Sequence, residues 1–262
     1  MSPRSKIVVM SLMTGVLGLS LLPFASDLEE KIGLDLLFKM RGSRRASSDV
    51  VIVTIDKASA ANLNLPPEPE KWPRSLHASL TDNLAKAGAA VIAFDMLFDE
   101  GRSPEYDNLF AKAIRSAGNV VLCECLSKKT VPLINKEGTN TGQVNIENLI
   151  PPIPCLAQSA TALAPFPLPK VPVRISQYWT IKTGAGDTPT LPVVAFQIFA
   201  LQVYDEFMGL LKKVDPATAA AIASHKDEIL ATKGVEKLIR ILRDTVYLLK
   251  PNLLLIAFNI WA

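Results

Sequence analysis

The sequence predicts an α/β fold, a three-layer sandwich with a mostly parallel or mixed central sheet, preceded by one N-terminal transmembrane helix. Apolar runs rich in β-branched residues occupy positions 49–56 and 89–98. Continuous runs of this kind are typical of strands that are buried on both faces. A helical pattern between them ends at Gly88, as expected of a crossover that joins two parallel strands. A third apolar run at 119–125 follows a short helical stretch that is predicted to end at Gly118, and it extends the pattern to βαβαβ.

The composition is that of a globular chain with an apolar excess. Of its 262 residues, 49% are hydrophobic and 20% are charged, which is enough for one large domain or two small ones with a sizeable core. The net charge is +3 and there is no long run of Lys or Arg, so no nucleic-acid partner is predicted. The mean hydropathy of +0.25 is high for a soluble protein and favours a membrane segment.

The N-terminal run 7–25 contains no charged residue. As a helix it would be ~28 Å long, close to the thickness of the hydrocarbon layer. Basic residues precede the run and acidic residues follow it, so the positive-inside rule places the tail 1–6 in the cytoplasm and the rest of the chain outside. The alternative is a cleaved signal peptide. The run is longer than the ~7–15 apolar residues of such peptides and lacks a clear cleavage site, which favours an uncleaved, single-pass anchor.

The candidate binding residues lie where the first two predicted strands end. Each strand delivers a carboxylate to its C-terminal end, Asp56 and Asp95, and ligands of open α/β sheets usually bind at that edge. Trp72 and Arg74 flank Pro73 at the start of the next helix. We expect Trp72 to pack against the fold and Arg74 to pair with Asp56 or Asp95. These four residues, Asp56, Trp72, Arg74 and Asp95, are the predicted ligand-binding set.

No cofactor, metal site or catalytic residue is predicted. The three cysteines, Cys123, Cys125 and Cys155, have neither metal-ligand spacing nor the even number of a disulfide framework, so we interpret them as packing residues. The chain has two histidines, His77 and His225, which disfavours a histidine-rich metal site.

The second half of the chain is less regular. Positions 130–143 lack periodicity and predict an excursion loop, and 151–172 contains seven prolines, which indicates extended or turn structure around a short helix near 155–163. Two short strands are predicted at 171–175 and 178–182. The glycine-rich segment 183–187 matches no phosphate-binding fingerprint and predicts a turn.

Helices are predicted after that turn. The run 190–213 is the most apolar helix after the anchor, and its polar residues favour a core helix or one shared with a partner chain over a second span. Asp215 and Pro216 predict a helix start, with helices over 217–230 and 235–243. The tail 246–262 is apolar, but its part 252–262 is too short to cross a bilayer.

Several segments together resemble a known family. They are 35–42 (DLLFKMRG), 50–56 (VVIVTID), 72–78 (WPRSLHA), 91–98 (VIAFDMLF) and 118–121 (GNVV), all after an apolar N-terminal run. This combination resembles the CHASE domain of the second type, an extracytoplasmic sensory domain of bacterial transmembrane receptors. The resemblance covers roughly residues 7–245.

The resemblance implies a location and a role. The chain would be an inner-membrane protein with a periplasmic sensory domain over 27–245, and its signal would be an unidentified small molecule or environmental stimulus. In the family, further membrane helices and an output module follow the sensor, for example an adenylate cyclase, a diguanylate cyclase or a kinase. The sequence departs from that pattern after about position 247, so we expect no catalytic output of its own. A homodimer or a full-length receptor homologue is the expected partner.

The sequence patterns suggest three functions. The first is a membrane-anchored sensory input domain, which is not an enzyme. The second is a metal-dependent phosphate-processing enzyme that uses Asp56, Asp95, Asp99 and Glu100. The third is a structural dimerisation module with the 190–213 helix as its interface. Topology, fold and resemblance agree on the first.

Overall fold

The computed structural model describes residues 10–11, 13–16, 33–43, 45, 47–135, 138–168 and 178–248. The chain divides into two compact units. The first comprises the described residues of 1–54 and 168–178, and the second those of 55–167 and 179–262. Most of the predicted anchor 7–25, the predicted strand 171–175 and the tail after Leu248 lie outside the described residues.

The first unit contains helix α1 (Leu34–Arg41), which ends at Gly42 with a φ of 73°. Residues 10–11 and 13–16 are also helical. The predicted strand 49–56 is wrong. Val50, Val51, Ile52 and Val53 are 50–82% exposed and adopt no strand. A β-branched run becomes a strand only where a neighbour supplies ladder hydrogen bonds and an apolar surface, and the described residues give it neither.

The second unit contains the other elements. Its helices and strands, in chain order, are α2 (Lys57–Asn62), α3 (Arg74–Lys86), β1 (Ile92–Phe94), α4 (Pro104–Ala117), β2 (Val120–Ile134), β3 (Asn140–Ile150), α5 (Pro154–Ser159), β4 (Ala162–Pro165), β5 (Ile181–Lys182), β6 (Thr188–Pro189), α6 (Leu191–Ala200), α7 (Tyr204–Val214), α8 (Pro216–Ala221), α9 (Lys226–Ala231) and α10 (Val235–Leu248). Short 3₁₀ turns occur at Pro69–Lys71, Thr183–Ala185 and Leu201–Val203.

The central sheet is mixed. β2 pairs in parallel with β1, where Phe94 lies opposite Leu122, and in parallel with β4, where Ala164 lies opposite Cys123. The outer part of β2 pairs antiparallel with β3, from Cys125 opposite Ile150 outward. The fold is therefore a mixed α/β domain with a mixed central sheet, as the sequence predicted.

The predicted excursion loop at 130–143 is wrong, because β2 and β3 form a long hairpin there. The hairpin was missed because Pro132 and several polar residues interrupt the apolar alternation. The part of the hairpin nearest the central sheet is joined to β5 by ion pairs. The Glu147 carboxylate lies 3.2 Å from the ammonium group of Lys128 and 3.1 Å from that of Lys182. A Cβ at Gly184 would meet the carboxylate end of the Glu147 side chain, which would have to move aside.

Alternate residues of the sheet face two different apolar clusters. The first cluster, which we call the aromatic side, is built from β1, β2, α3, α4 and α5 and contains Phe94, Phe98, Phe110, Val120 and Leu122. The second, the aliphatic side, is built largely from α6, α7 and α10 and contains Val121, Ala164, Val194, Ile198, Leu201, Met208 and Leu238. The period of two along a strand explains why Val121 faces one cluster and its neighbours the other.

Several predicted helix boundaries are confirmed. Helix α4 ends at Gly118, whose φ of 69° and ψ of 5° are left-handed, and Gly88 follows α3 with a φ of 84°. Asp215 caps α8 by accepting a hydrogen bond from the Thr218 N–H at 3.1 Å, and Pro216 occupies the first turn. The predicted helix 217–230 is broken, however, because the backbone is extended at Ile222.

One described stretch, Leu191–Val214, is long and apolar enough by composition to cross a membrane. It contains α6, a 3₁₀ turn and α7. Its buried residues, among them Val194, Ile198 and Met208, belong to the aliphatic side. This agrees with the predicted core helix.

Candidate functional site

Arg74 forms the centre of a buried polar group next to the loop that follows β1. Its Nε lies 3.6 Å from Oδ1 of Asp107, and its Nη2 donates to the Glu100 carbonyl at 3.3 Å. Arg74 is 3% exposed and Asp107 5%. Burial, followed by the nearby Arg102, lowers the pKa of Arg74, while Asp107 opposes the shift. The predicted pairing of Arg74 with a carboxylate is confirmed, but the partner is Asp107, not Asp56 or Asp95.

The loop carrying Glu100 is held to the same pair of charges. The Arg102 N–H donates to Oδ2 of Asp107 at 2.9 Å. The guanidinium of Arg74 lies over the Phe98 ring, 4.4 Å from its centroid, in a cation–π contact. Through these contacts Arg74 holds the loop between β1 and α4 in place.

His77 lies in the aromatic side, one turn after Arg74. Its ring meets Phe98 edge-on at 5.4 Å and Phe110 at 5.7 Å. Its Nδ1 donates to the Pro73 carbonyl at 3.2 Å, and its Nε2 is buried without a partner among the described residues. Burial lowers the pKa of His77. The neutral imidazole is thus a core residue.

Trp72 is 5% exposed, and its indole N–H donates to the Pro66 carbonyl at 2.7 Å. The indole therefore closes the proline-containing loop before α3. The expectation that Trp72 packs against the fold is confirmed, and its hydrogen-bonding group is already used within the protein.

Asp56 lies at the start of helix α2 and not at the end of a strand. Its Oδ1 accepts from the backbone N–H of Ser59 at 2.8 Å and from the Ser59 hydroxyl at 2.7 Å. These hydrogen bonds lower the pKa of Asp56. Asp56 is the N-cap of α2, a common structural role for Asp.

Asp95 lies at the carboxyl edge of the parallel strands, directly after β1. Its side chain is exposed and forms no hydrogen bond or ion pair with the described residues. Partial desolvation nevertheless raises the pKa of Asp95. In the register of β1 with β2, the next position opposite Asp95 is Cys123. Burial, followed by the Asp95 charge, raises the pKa of the Cys123 thiol to about 11.

Glu124 continues this edge on β2, opposite Pro165 of β4. Burial, followed by the charge of Glu236 on α10, raises the pKa of Glu124. Glu124 and Glu236 therefore lie close enough for their charges to interact, whereas Asp95 follows the neighbouring strand β1 and its pKa is raised by desolvation alone. The described residues contain no group of three His, Cys, Asp or Glu side chains with metal-binding geometry, and this includes the alternative set around Asp95, Asp99 and Glu100.

The structure therefore separates the four predicted residues by role. Arg74 and Trp72 are buried and bonded within the protein, Asp56 caps a helix, and Asp95 presents its carboxylate at the sheet edge. Sequence reasoning missed Asp107, Glu124 and Glu236. Asp107 carried a usable signal, because it is an acid in the first turn of a helix that starts with Ser103 and Pro104. Glu124 and Glu236 come together only through tertiary packing.

A mixed α/β domain with an acidic strand-end edge defines the class of protein, and comparison with known families identifies it further. The family model described as the CHASE2 domain matches residues 8–229. The chain belongs to the CHASE2 family, which confirms the resemblance found in its motifs. CHASE2 domains are extracytoplasmic sensory domains of signal-transduction receptors and are not catalytic. No curated protein and no solved structure shows significant similarity to the chain.

Proposed function

We propose that this chain is the membrane-anchored signal-input domain of a bacterial receptor, with a cytoplasmic N-terminus, a single span over 7–25 and a periplasmic sensory domain. The observation that carries the proposal is the CHASE2 match over residues 8–229, which begins inside the uncharged N-terminal run. Because CHASE2 domains are sensory, catalytic output would come from another part of the receptor assembly.

A thiol-labelling experiment tests the topology. Ser48 is exposed in the first unit, and a Ser48→Cys variant without the native cysteines should react with an impermeant maleimide in intact spheroplasts. The matched control is Ser2→Cys in the same background, which should react only after lysis. Labelling of the two variants in the opposite order would overturn the orientation. Labelling of both in intact cells would mean that the N-terminus is also exported.

We further propose that Asp95 contacts the signal, whereas Trp72 and Arg74 position the surrounding chain. Asp95 supports this role because its carboxylate has no described partner at the edge where α/β sheets usually bind ligands. An exposed carboxylate without a described partner favours a cationic or hydrogen-bond-donating ligand.

Calorimetry of the solubilised chain with divalent metals, small organic cations and, as negative probes, small anions tests the site. Asp95→Asn should abolish the heat of cation binding and leave the unfolding midpoint unchanged. The matched control is Asp82→Asn on α3, which is also exposed and should leave binding intact. Equal binding by both variants would remove Asp95 from the site. Tight binding of a divalent metal at Asp95 would instead support the enzyme alternative.

A further inference from the structure

Helix α7 has two faces of opposite character. One face packs into the aliphatic side, and its buried residues are Tyr204, Met208 and Leu211. The other, which we call the outer face of α7, is exposed and consists of Glu206, Gly209, Leu210 and Lys213. These residues are three or four positions apart and so share one side of the helix. Leu210 is 38% exposed, and Val203 and Val214 at the two ends are 48% and 41% exposed.

The charges of α7 form no ion pair with the described part of the chain. Asp205 and Glu206 stand in the first turn and Lys212 and Lys213 in the last, and none of them forms an ion pair with the described residues. Acid and base are seven residues apart, or ~10.5 Å along the axis, which is too far for a bond within the helix. In α10, by contrast, Glu236 and Arg240 are four apart and form a 2.7 Å ion pair.

The helix dipole explains part of this pattern, because acids favour the first turn of a helix and bases the last. It does not explain the middle of the helix. Gly209 is the sixth of eleven residues, a position where Gly is among the least favourable residues. A Cβ at Gly209 would have no atom within 4 Å, so nothing in the chain requires glycine there. A glycine on an exposed face does, however, allow another helix to approach closely.

We propose that the outer face of α7 binds the same face of a second copy of this chain, with the two helices antiparallel across a two-fold axis. The midpoint between Glu206 and Lys213 falls between Gly209 and Leu210. An antiparallel copy therefore places each Glu206 opposite the other copy's Lys213 and each Leu210 over the other copy's Gly209. The charges complement each other, and the exposed Val203 and Val214 at the two ends lie within two residues, or ~3 Å along the axis, of alignment.

The apolar stretch Leu191–Val214 also suggests a lipid partner. Asp205 and Glu206 lie near its centre, however, and acidic residues at mid-membrane are costly unless they are paired inside a protein. A second copy supplies that pairing through Lys212 and Lys213. The interface of one helix pair is smaller than the ~800 Å² per partner of a standard complex, so the expected dimer is weak in dilute solution and favoured on a membrane.

Disulfide trapping in native membranes tests the proposal. In a Cys125→Ser/Cys155→Ser background that keeps the buried Cys123, mild oxidation of Gly209→Cys should give a covalent dimer. Ser116→Cys on the exposed side of α4 is the matched control and should remain monomeric. Yields from Gly209→Cys no higher than from Ser116→Cys would overturn the proposal. Protection of Gly209→Cys from an aqueous maleimide without any dimer would assign the face to lipid instead.

Two further variants fix the orientation. In the antiparallel dimer, Val203→Cys and Val214→Cys each stay monomeric alone but cross-link when the two chains are co-expressed. A parallel dimer would give the reverse, because every residue then meets its own copy. Self-cross-linking of Val203→Cys would therefore contradict the proposed two-fold axis.

Charge reversal shows whether the acids and bases of different copies meet. In the Gly209→Cys background, Asp205→Lys/Glu206→Lys alone and Lys212→Glu/Lys213→Glu alone should each reduce the covalent dimer at least fivefold. Co-expression of these two variants should restore a mixed dimer. The restoration also shows that each variant folds. Undiminished dimer from either variant alone would remove the charges from the interface.

Discussion

The two sides of the sheet bury their apolar residues by different means. The aromatic side encloses the rings of Phe94, Phe98 and Phe110 together with polar groups that are only partly satisfied: Arg74 Nε, His77 Nε2 and Asp107 Oδ1 have no hydrogen-bond partner in the described structure. The aliphatic side buries almost purely aliphatic residues, and its tyrosine, Tyr204, donates its hydroxyl to the Ala223 carbonyl at 2.6 Å. We therefore expect stability to depend on charge balance on the aromatic side and on side-chain volume on the aliphatic side.

The largest expected effect is on the aromatic side. Asp107→Leu leaves the guanidinium of Arg74 buried without its carboxylate, and loss of one partner from a buried ion pair costs about 3–5 kcal/mol. Arg74→Met/Asp107→Leu removes both charges and should recover most of that loss. Urea unfolding of the detergent-solubilised protein, followed by circular dichroism, measures both. A double variant no more stable than Asp107→Leu would show that the charge of Arg74 is not the cause.

A volume change on the aliphatic side should have the next largest effect. Met208 is 2% exposed, and Met208→Ala should lower the free energy of unfolding by about 2–5 kcal/mol by leaving a cavity. The loss should be the same at pH 5.5 and pH 7.5, because no charged group enters or leaves the core. A loss of stability that changes with pH would contradict the proposed difference between the two sides.

His77 should give the aromatic side its own pH dependence. Burial lowers the pKa of His77 in the folded protein, whereas the unfolded chain binds a proton near the usual value of about 6.5. Stability from this residue is therefore complete at higher pH and is lost as the pH falls from about 6.5 toward the folded pKa, by up to ~1.4 kcal/mol per pH unit. His77→Leu should remove this part of the slope between pH 7.5 and 5.5. Identical slopes for the variant and the natural protein would contradict the assignment.

The smallest expected effect is a methylene deletion on the aliphatic side. Ile198 is 6% exposed, and Ile198→Val should cost about 0.5–1.5 kcal/mol at any pH in that range. Denaturant titration resolves a change of this size when the transition slope stays constant. A gain in stability would mean that the region around α6 is overpacked.

The sequence predicted the helix boundaries best, because those depend on local chemistry. Gly118 must adopt a left-handed conformation and Asp215 has a side chain that caps a helix, so both positions could be identified without tertiary information. Strands were less predictable. The runs at 50–53 and 92–94 are both apolar, and the first is the richer in β-branched residues, but among the described residues only the second has a neighbouring strand, at Val120–Leu122.

The site depended even more on contacts that a sequence does not reveal. Arg74 and Asp107 are 33 positions apart, and the expected partners Asp56 and Asp95 were chosen by their place at strand ends. Once Asp56 proves to cap α2, that edge loses its first carboxylate. Glu124 and Glu236 are brought together by the packing of α10, which no local pattern indicates.

The thiol of Cys123 bears on how this protein survives outside the cytoplasm. CHASE2 domains are extracytoplasmic, and such compartments oxidise accessible thiols to disulfides. The reactive species is the thiolate, and with a pKa of about 11 roughly one Cys123 in ten thousand is ionised at neutral pH. Cys123 is also 6% exposed, so oxidants and other thiols have little access to its sulfur. An odd number of cysteines is therefore compatible with oxidising surroundings, since the most deeply placed thiol is chemically inert there.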